Sequence, residues 1–247
     1  MRQIAIRGGG IAVSTRGPET GPTVVFLNSL GTDLRVWDQV VERLGADLRL
    51  VRIDKRGHGL STLEPASRTV SDHAADVAAV LDALSIQAPL VVGLSIGGLI
   101  AQTLAVARPD LASGLLLLDT AHRVGTTESW NARIAAVRGG GLDAIADQVM
   151  ERWFSARFRE TQAEVVAAWR TLLVRMPADG YIAACEALRD ADLTELSPKV
   201  AVPTRFAVGS ADLSTPPDLV RSAAALVPGA RFDVIEGAGH LPPIERP

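Results

Sequence analysis

The stretch VVGLSIGG, residues 91–98, decides the fold. An apolar run, PLVVG at 89–93, enters it, and a helical stretch at 96–107 leaves it. Gly93, Ser95 and Gly97 form G-x-S-x-G between a strand and a helix, the setting in which that motif presents a nucleophile. The turn is so sharp that side chains two residues either side of Ser95 would strike the neighbouring strand and helix, and glycine removes the clash. Ser95 then stands at the head of a helix, whose positive end favours an oxyanion. A glycine-rich β–α turn with an incidental serine is the other reading of the motif taken alone.

Outward from this turn, short β-branched runs alternate with helical stretches. Strands are expected at 3–6 and 11–14 (a hairpin), 23–28, 48–54, 89–93, 114–119, 204–209 and 231–236. Helices are expected at 34–44, at 71–84 with Ser71 as N-cap, at 96–107 and at 217–227. Between about 122 and 198 the alternation stops. Four helical stretches are expected there, near 127–138, 141–152, 160–175 and 178–189, with Gly139-Gly140-Gly141 separating the first pair and Pro177 breaking the second. The reading is therefore an α/β core, a mostly parallel sheet with helices on both faces, in two parts (1–121 and 199–247) around an inserted helical cap (122–198). Ligands bind at the carboxyl ends of the strands in such sheets, and the cap is placed to cover that edge.

Composition excludes other classes. The chain has 247 residues, 25 basic and 28 acidic, with a formal net charge of -3. That balance gives no electrostatic footprint for nucleic acid. Residues 83–107 carry no charge over 25 positions, but Pro89, Gly93, Ser95, Gly97 and Gly98 interrupt them, so they read as strand, turn and buried helix rather than a membrane span. Cys185 is the single cysteine, which rules out an internal disulfide and a cysteine-rich metal site. It is expected to be buried. Residues 1–20 lack the apolar core of a secretion signal, and a cytoplasmic location is expected. Neither a cofactor nor a metal is expected.

A serine needs a base. Of the four histidines, His58 and His73 precede Ser95 and His122 opens the cap; His240, in EGAGHLPP, follows the last strand. The order serine, acid, histidine favours His240. Asp212, in VGSADLSTPP, follows strand 204–209 and is the first choice of acid. Asp119, which also ends a strand, is the second, while Asp218 and Asp233 suit capping or solvated roles. An oxyanion hole needs two backbone amides. Ile96 follows the nucleophile, and Leu30 lies in the loop Asn28-Ser29-Leu30-Gly31-Thr32 after strand 23–28. DKRGHGLS at 54–61 lacks phosphate-loop spacing, so Asp54, Arg56, Ser61 and His58 read as scaffold.

These motifs, in this order and over the whole length, resemble the α/β-hydrolase superfamily. Within it, FLNSLGTDLRVWD (26–38), ESWNARI (128–134), RWFSARF (152–158) and GYIAACEALRDADL (180–193) are similar to the 3-oxoadipate enol-lactonase family. Many relatives carry His-Gly where this chain has Asn28-Ser29. Members of the superfamily usually continue into a final helix packed on the sheet, whereas this chain ends at Pro247, a departure that bears on stability more than on chemistry.

The resemblance implies a small lactone substrate bearing a carboxymethyl group, opened through an acyl-enzyme on Ser95 in aromatic-compound catabolism. The carboxylate calls for a cation. Trp130 and Arg133 share a helix face and form one candidate set; Arg152 and Trp153 form another. No nucleic-acid or membrane partner is expected, and the protein is expected to be a monomer or small homo-oligomer. Rival readings are a carboxylesterase, a C–C bond hydrolase, a cofactor-free haloperoxidase, or a binding module without turnover.

Overall fold

The computed structural model describes residues 1–64 and 69–247. Its strands are β1 (Arg2–Ile6), β2 (Gly9–Arg16), β3 (Thr23–Leu27), β4 (Arg49–Ile53), β5 (Leu90–Leu94), β6 (Gly114–Leu118), β7 (Thr204–Gly209) and β8 (Arg231–Ile235). They form one sheet in the order β1-β2-β4-β3-β5-β6-β7-β8. β2 runs antiparallel to both β1 and β4, and every other pairing is parallel. The central strands are apolar almost throughout because helices cover both faces. Val25, Val91 and Leu117 are fully enclosed.

The helices of the core are α1 (Asp38–Arg43), α2 (Val70–Ala83), α3 (Ile96–Ala107), α9 (Pro217–Leu226) and α10 (Pro242–Glu245); those of the cap are α4 (Thr127–Gly140), α5 (Asp143–Trp153), α6 (Ala156–Thr161), α7 (Ala163–Arg175) and α8 (Ala178–Asp190). The helical expectation for 34–44 resolves into a 3-10 turn, Leu34–Trp37, followed by α1, because Asp33 caps the turn through its bond from the Arg35 amide. The N-cap of α2 is Thr69 and not Ser71: Thr69 and Asp72 each accept the other's backbone amide, a reciprocal capping box. The expected cap stretch 160–175 is two helices, broken at Gln162, with Ser155 capping the first. Helix α4 runs through Gly139 and Gly140, and only Gly141, at φ 67°, ends it.

Parallel register aligns the carboxyl ends of β3, β5, β6 and β7 along one edge, with Leu27 opposite Gly93, Leu94 opposite Leu118, and Leu118 opposite Ala207. Asn28, Ser95, Asp119 and Ser210 therefore all emerge on that edge. The cap docks there through close backbone contact. A Cβ on Gly57 would lie 2.8 Å from the Gly180 Cα, so the 54–61 loop meets α8 where neither carries a side chain. Among the described residues, no helix is long and apolar enough to cross a membrane.

Candidate active site

Ser95 occupies the junction of β5 and α3 at φ 57°, ψ −121°. A non-glycine residue in that left-handed region costs about 1–3 kcal/mol and persists where its surroundings hold it. Here the Ser95 amide donates to the Leu118 carbonyl (2.9 Å), and the Ser95 carbonyl accepts from the Gly98 amide (2.8 Å) and the Thr120 hydroxyl (2.7 Å). The flanking glycines are sterically required. A Cβ on Gly93 would lie 2.4 Å from the Gly97 carbonyl oxygen, and one on Gly97 would lie 2.3 Å from that of Leu27.

His240 is 3% exposed, and its Nδ1 lies 2.8 Å from Asp212 Oδ2. Asp212 is fixed by the Ser214 amide (2.7 Å), the Thr215 amide (3.1 Å) and the Thr215 hydroxyl (2.6 Å). Burial alone would raise its pKa. The charge of His240 and the hydrogen bonds from His240, Thr215 and Ser214 outweigh burial and hold it below the ordinary carboxylate value. With Nδ1–H donated to Asp212, Nε2 is the nitrogen left to act as base.

Asp119, the second-choice acid, sits beside this pair at φ 47°, fully enclosed. Its Oδ1 accepts the Gly209 amide (2.9 Å), while its Oδ2 has no hydrogen-bond partner among the described residues. Burial first, and then the neighbouring charge of Asp212, push its pKa well above the usual range. One donor atom from each of Asp119, Asp212 and His240 lies within 4.8 Å of the others. The Asp212–His240 bond engages both of those groups with each other, an arrangement suited to orienting an imidazole rather than cradling a cation.

The loop 28–32 lies beside Ser95. Its amides at Leu30 and, across the turn, Ile96 are donated to no protein acceptor among the described residues. Leu30 also lines the cavity that holds Ser95, while Ile96 is buried directly after Ser95 at the head of α3. The loop is braced from beneath by residues of the 54–61 turn. Lys55 Nζ donates to the Ser29 carbonyl (2.5 Å), and His58 Nε2 accepts the Gly31 amide (3.2 Å). Asp54 accepts the Leu34 and Leu60 amides (2.7 and 3.1 Å), and Arg56 forks onto Asp76 (3.0 Å for each bond). Burial raises the pKa of Asp54 to about 6 and lowers that of Lys55 to about 7.

Ser95 and His240 share a cavity of about 330 Å³ whose other walls include Leu30, Trp130, Arg133, Arg152, Trp153 and Tyr181. All four cap residues singled out from sequence thus reach this space. Trp130 donates its indole N–H to the Val124 carbonyl (2.6 Å), and the Arg133 guanidinium lies 5.1 Å over its ring. Among the described residues neither Arg133 nor Arg152 pairs with a carboxylate. A larger groove, about 650 Å³ between α7 and residues 31–35, contains none of Ser95, Asp212 and His240. His122 lies outside the site cavity, its carbonyl accepting the Leu193 amide (2.8 Å). Cys185 is buried, its thiol pushed up to about 12 by burial.

One residue of this region was not singled out from the sequence. Glu245, on α10 just past His240, accepts the Ser155 amide (2.9 Å), the Ser155 hydroxyl (2.6 Å) and the Gly239 amide (2.9 Å). It ties the histidine loop to the cap across 90 positions of sequence. The acid in PPIERP was the one available hint, and nothing local names its partner.

Comparison with known proteins agrees with this architecture. The family described as "Alpha/beta hydrolase family" matches residues 24–247. A 3-oxoadipate enol-lactonase of Acinetobacter baylyi is 34% identical, covering 98% of this chain and 90% of that protein. The pimeloyl-acyl-carrier-protein methyl ester esterase of Chromobacterium violaceum is 31% identical, covering 90% of this chain and 88% of that protein. The crystal structure of the enol-lactonase from Burkholderia xenovorans LB400 superposes with a TM-score of 0.95 at 35% identity, covering 99% of this chain and 95% of the other. With a matched region that takes in the serine turn, the cap and the histidine loop, the chain belongs to the alpha/beta hydrolase family.

Proposed function

We propose that this protein is a serine hydrolase that opens the ring of 3-oxoadipate enol-lactone, giving 3-oxoadipate. One observation carries the reading: a single cavity joins Ser95 and the Asp212-bonded His240 to two arginines that have no carboxylate partner among the described residues. The first pair supports acyl transfer, and the arginines support a small anionic substrate.

In this mechanism His240 Nε2 takes the Ser95 proton as Oγ attacks the ring carbonyl. Asp212 holds the imidazole in the required tautomer and stabilises its charged form. The tetrahedral oxyanion rests on the Leu30 and Ile96 amides, each such donor contributing about 10²–10³ in rate. Collapse breaks the ring C–O bond. The leaving enolate takes the proton from His240 and becomes the ketone, still attached through the acyl group to Ser95. Water, deprotonated by His240, attacks the acyl carbon, and the proton passes back to Ser95 as 3-oxoadipate leaves. Arg133, held over Trp130, and Arg152 bind the carboxymethyl carboxylate.

The test is hydrolysis of enol-lactone generated in situ, followed by its ultraviolet absorbance, beside p-nitrophenyl acetate and with Ser95→Ala in parallel. Rapid lactone turnover with slow ester turnover is the expected result. Ester turnover without lactone turnover would instead favour a carboxylesterase, the activity named for the Chromobacterium relative.

A further inference from the structure

The oxyanion loop is held by an unusual group. Lys55 is one of two lysines among 25 basic residues, and it is 6% exposed. Its Nζ reaches the Ser29 carbonyl (2.5 Å) and the Asn28 side-chain oxygen (3.4 Å), and among the described residues it forms no ion pair with a carboxylate. Burying an amine this way is costly, and a well-packed apolar side chain of similar volume would usually serve stability as well or better. A buried amine at this position points to a task other than holding the core together.

The task follows from peptide geometry. The Ser29 carbonyl and the Leu30 N–H belong to one planar trans peptide unit, so they point in opposite directions. The Ser29 carbonyl accepts from Lys55, the Thr32 hydroxyl (3.1 Å) and, at longer range, the Thr32 amide (3.4 Å). Fixing the carbonyl on that side aims the Leu30 N–H the other way, and Leu30 lines the cavity with Ser95. Hydrogen bonding at the carbonyl also polarises the N–H of the same peptide, strengthening it as a donor. Asn28, bonded to the Thr32 carbonyl (2.6 Å), completes the brace.

We propose that Lys55 is a positioning residue of the oxyanion hole, orienting and polarising the Ser29–Leu30 peptide so that the Leu30 amide meets the developing oxyanion. This rests on the reading that Leu30 and Ile96 hold that oxyanion. Lys55 itself touches no reacting atom.

The test compares wild type with Lys55→Met, which removes the donor at similar length, and Lys55→Gln, which keeps a neutral donor. Three quantities are measured: kcat and KM on enol-lactone and p-nitrophenyl acetate; affinity for a boronic acid that forms a tetrahedral adduct on Ser95; and affinity for the product 3-oxoadipate. Lys55→Met is expected to lower kcat on both substrates by about 10–100-fold. KM and product affinity should stay within about threefold, and boronate affinity should fall in parallel with kcat. Thermal stability should hold or rise, and Lys55→Gln should fall between. The inference is overturned if Lys55→Met keeps kcat and boronate affinity within twofold of wild type. It is equally overturned if kcat, product affinity and melting temperature all drop together, the pattern of a merely structural residue. Wild type inactive on both substrates would defeat the functional reading separately, and the boronate comparison would still decide the role of Lys55.

Discussion

Asp119 and Asp212 both place a carboxyl beside His240, with donor atoms of the three within 4.8 Å of one another, yet of the two only Asp212 bonds the ring, at 2.8 Å. Two enclosed carboxylates cannot both ionise cheaply so close together. Asp212 receives three bonds from Ser214 and Thr215 besides that of His240, whereas Asp119 receives one from the Gly209 amide. The better hydrogen-bonded carboxyl, Asp212, is held below the ordinary carboxylate value, and burial together with the charge of Asp212 pushes Asp119 well above it.

Substitution should separate the two acids. Asp212→Asn is expected to lower kcat by roughly 10⁴, as loss of the correct imidazole tautomer does in Ser-His-Asp hydrolases. A protonated Asp119 matches asparagine in charge and shape, so in Asp119→Asn kcat should stay within about fivefold and the ascending limb of kcat/KM against pH should not move. An ionised Asp119 would stabilise charged His240; its removal would shift that limb to lower pH. The pH–rate profiles of the two variants decide between these states.

The arginines of the cavity should act on charge and not on chemistry. Loss of a charge-assisted bond is worth about 1.5–3 kcal/mol. Arg133→Ala should therefore raise KM for the anionic lactone by about 10–100-fold while leaving kcat/KM for neutral p-nitrophenyl acetate within about twofold. Equal losses on both substrates would mean that Arg133 supports the cavity only through its contact with Trp130. Steady-state kinetics on the substrate pair reads the difference.

Glu245 should matter for stability and for the histidine loop together. Glu245→Ala strands the buried Ser155 and Gly239 amides, each worth about 1–3 kcal/mol when left unpaired. Denaturant unfolding is expected to show a loss of about 2–4 kcal/mol, and kcat should fall as the segment before His240 loosens. Wild-type stability in this variant would show that water replaces the carboxylate without cost.

The pair Asp54–Lys55 predicts an unusual pH profile of stability. Burial raises folded Asp54 from 3.8 to about 6, so between those values the native protein holds a proton that the unfolded chain has lost, and stability falls as pH rises through that window. Burial lowers folded Lys55 from 10.5 to about 7; between those values the unfolded chain holds the extra proton, and stability rises with pH. The contribution of the pair is thus smallest between about pH 6 and 7. Melting temperatures from pH 5 to 9 should show the upward alkaline slope in wild type and its loss in Lys55→Met.

The sequence by itself determined whatever rests on local sterics and periodicity. The glycines around Ser95 are dictated by a turn in which any Cβ would enter a neighbouring backbone. The apolar runs of β3, β5, β6 and β7 and the span of α3 follow from which residues must be hidden. Chain order alone favoured Asp212 and His240. Tertiary structure decided what depends on groups distant in sequence. It placed Asp212 and not Asp119 on the imidazole, and it joined Glu245 to Ser155 and Lys55 to the Ser29 carbonyl. It also brought Arg133 and Arg152 from separate cap helices into one cavity. Even the start of α2 was misplaced from sequence, because Thr69 and Ser71 are both sound caps and only the bond to Asp72 chooses between them. Hydrogen-bond partners and burial, which set charge states and orient donors, arise where strands and cap meet in space, and no local pattern encodes that meeting.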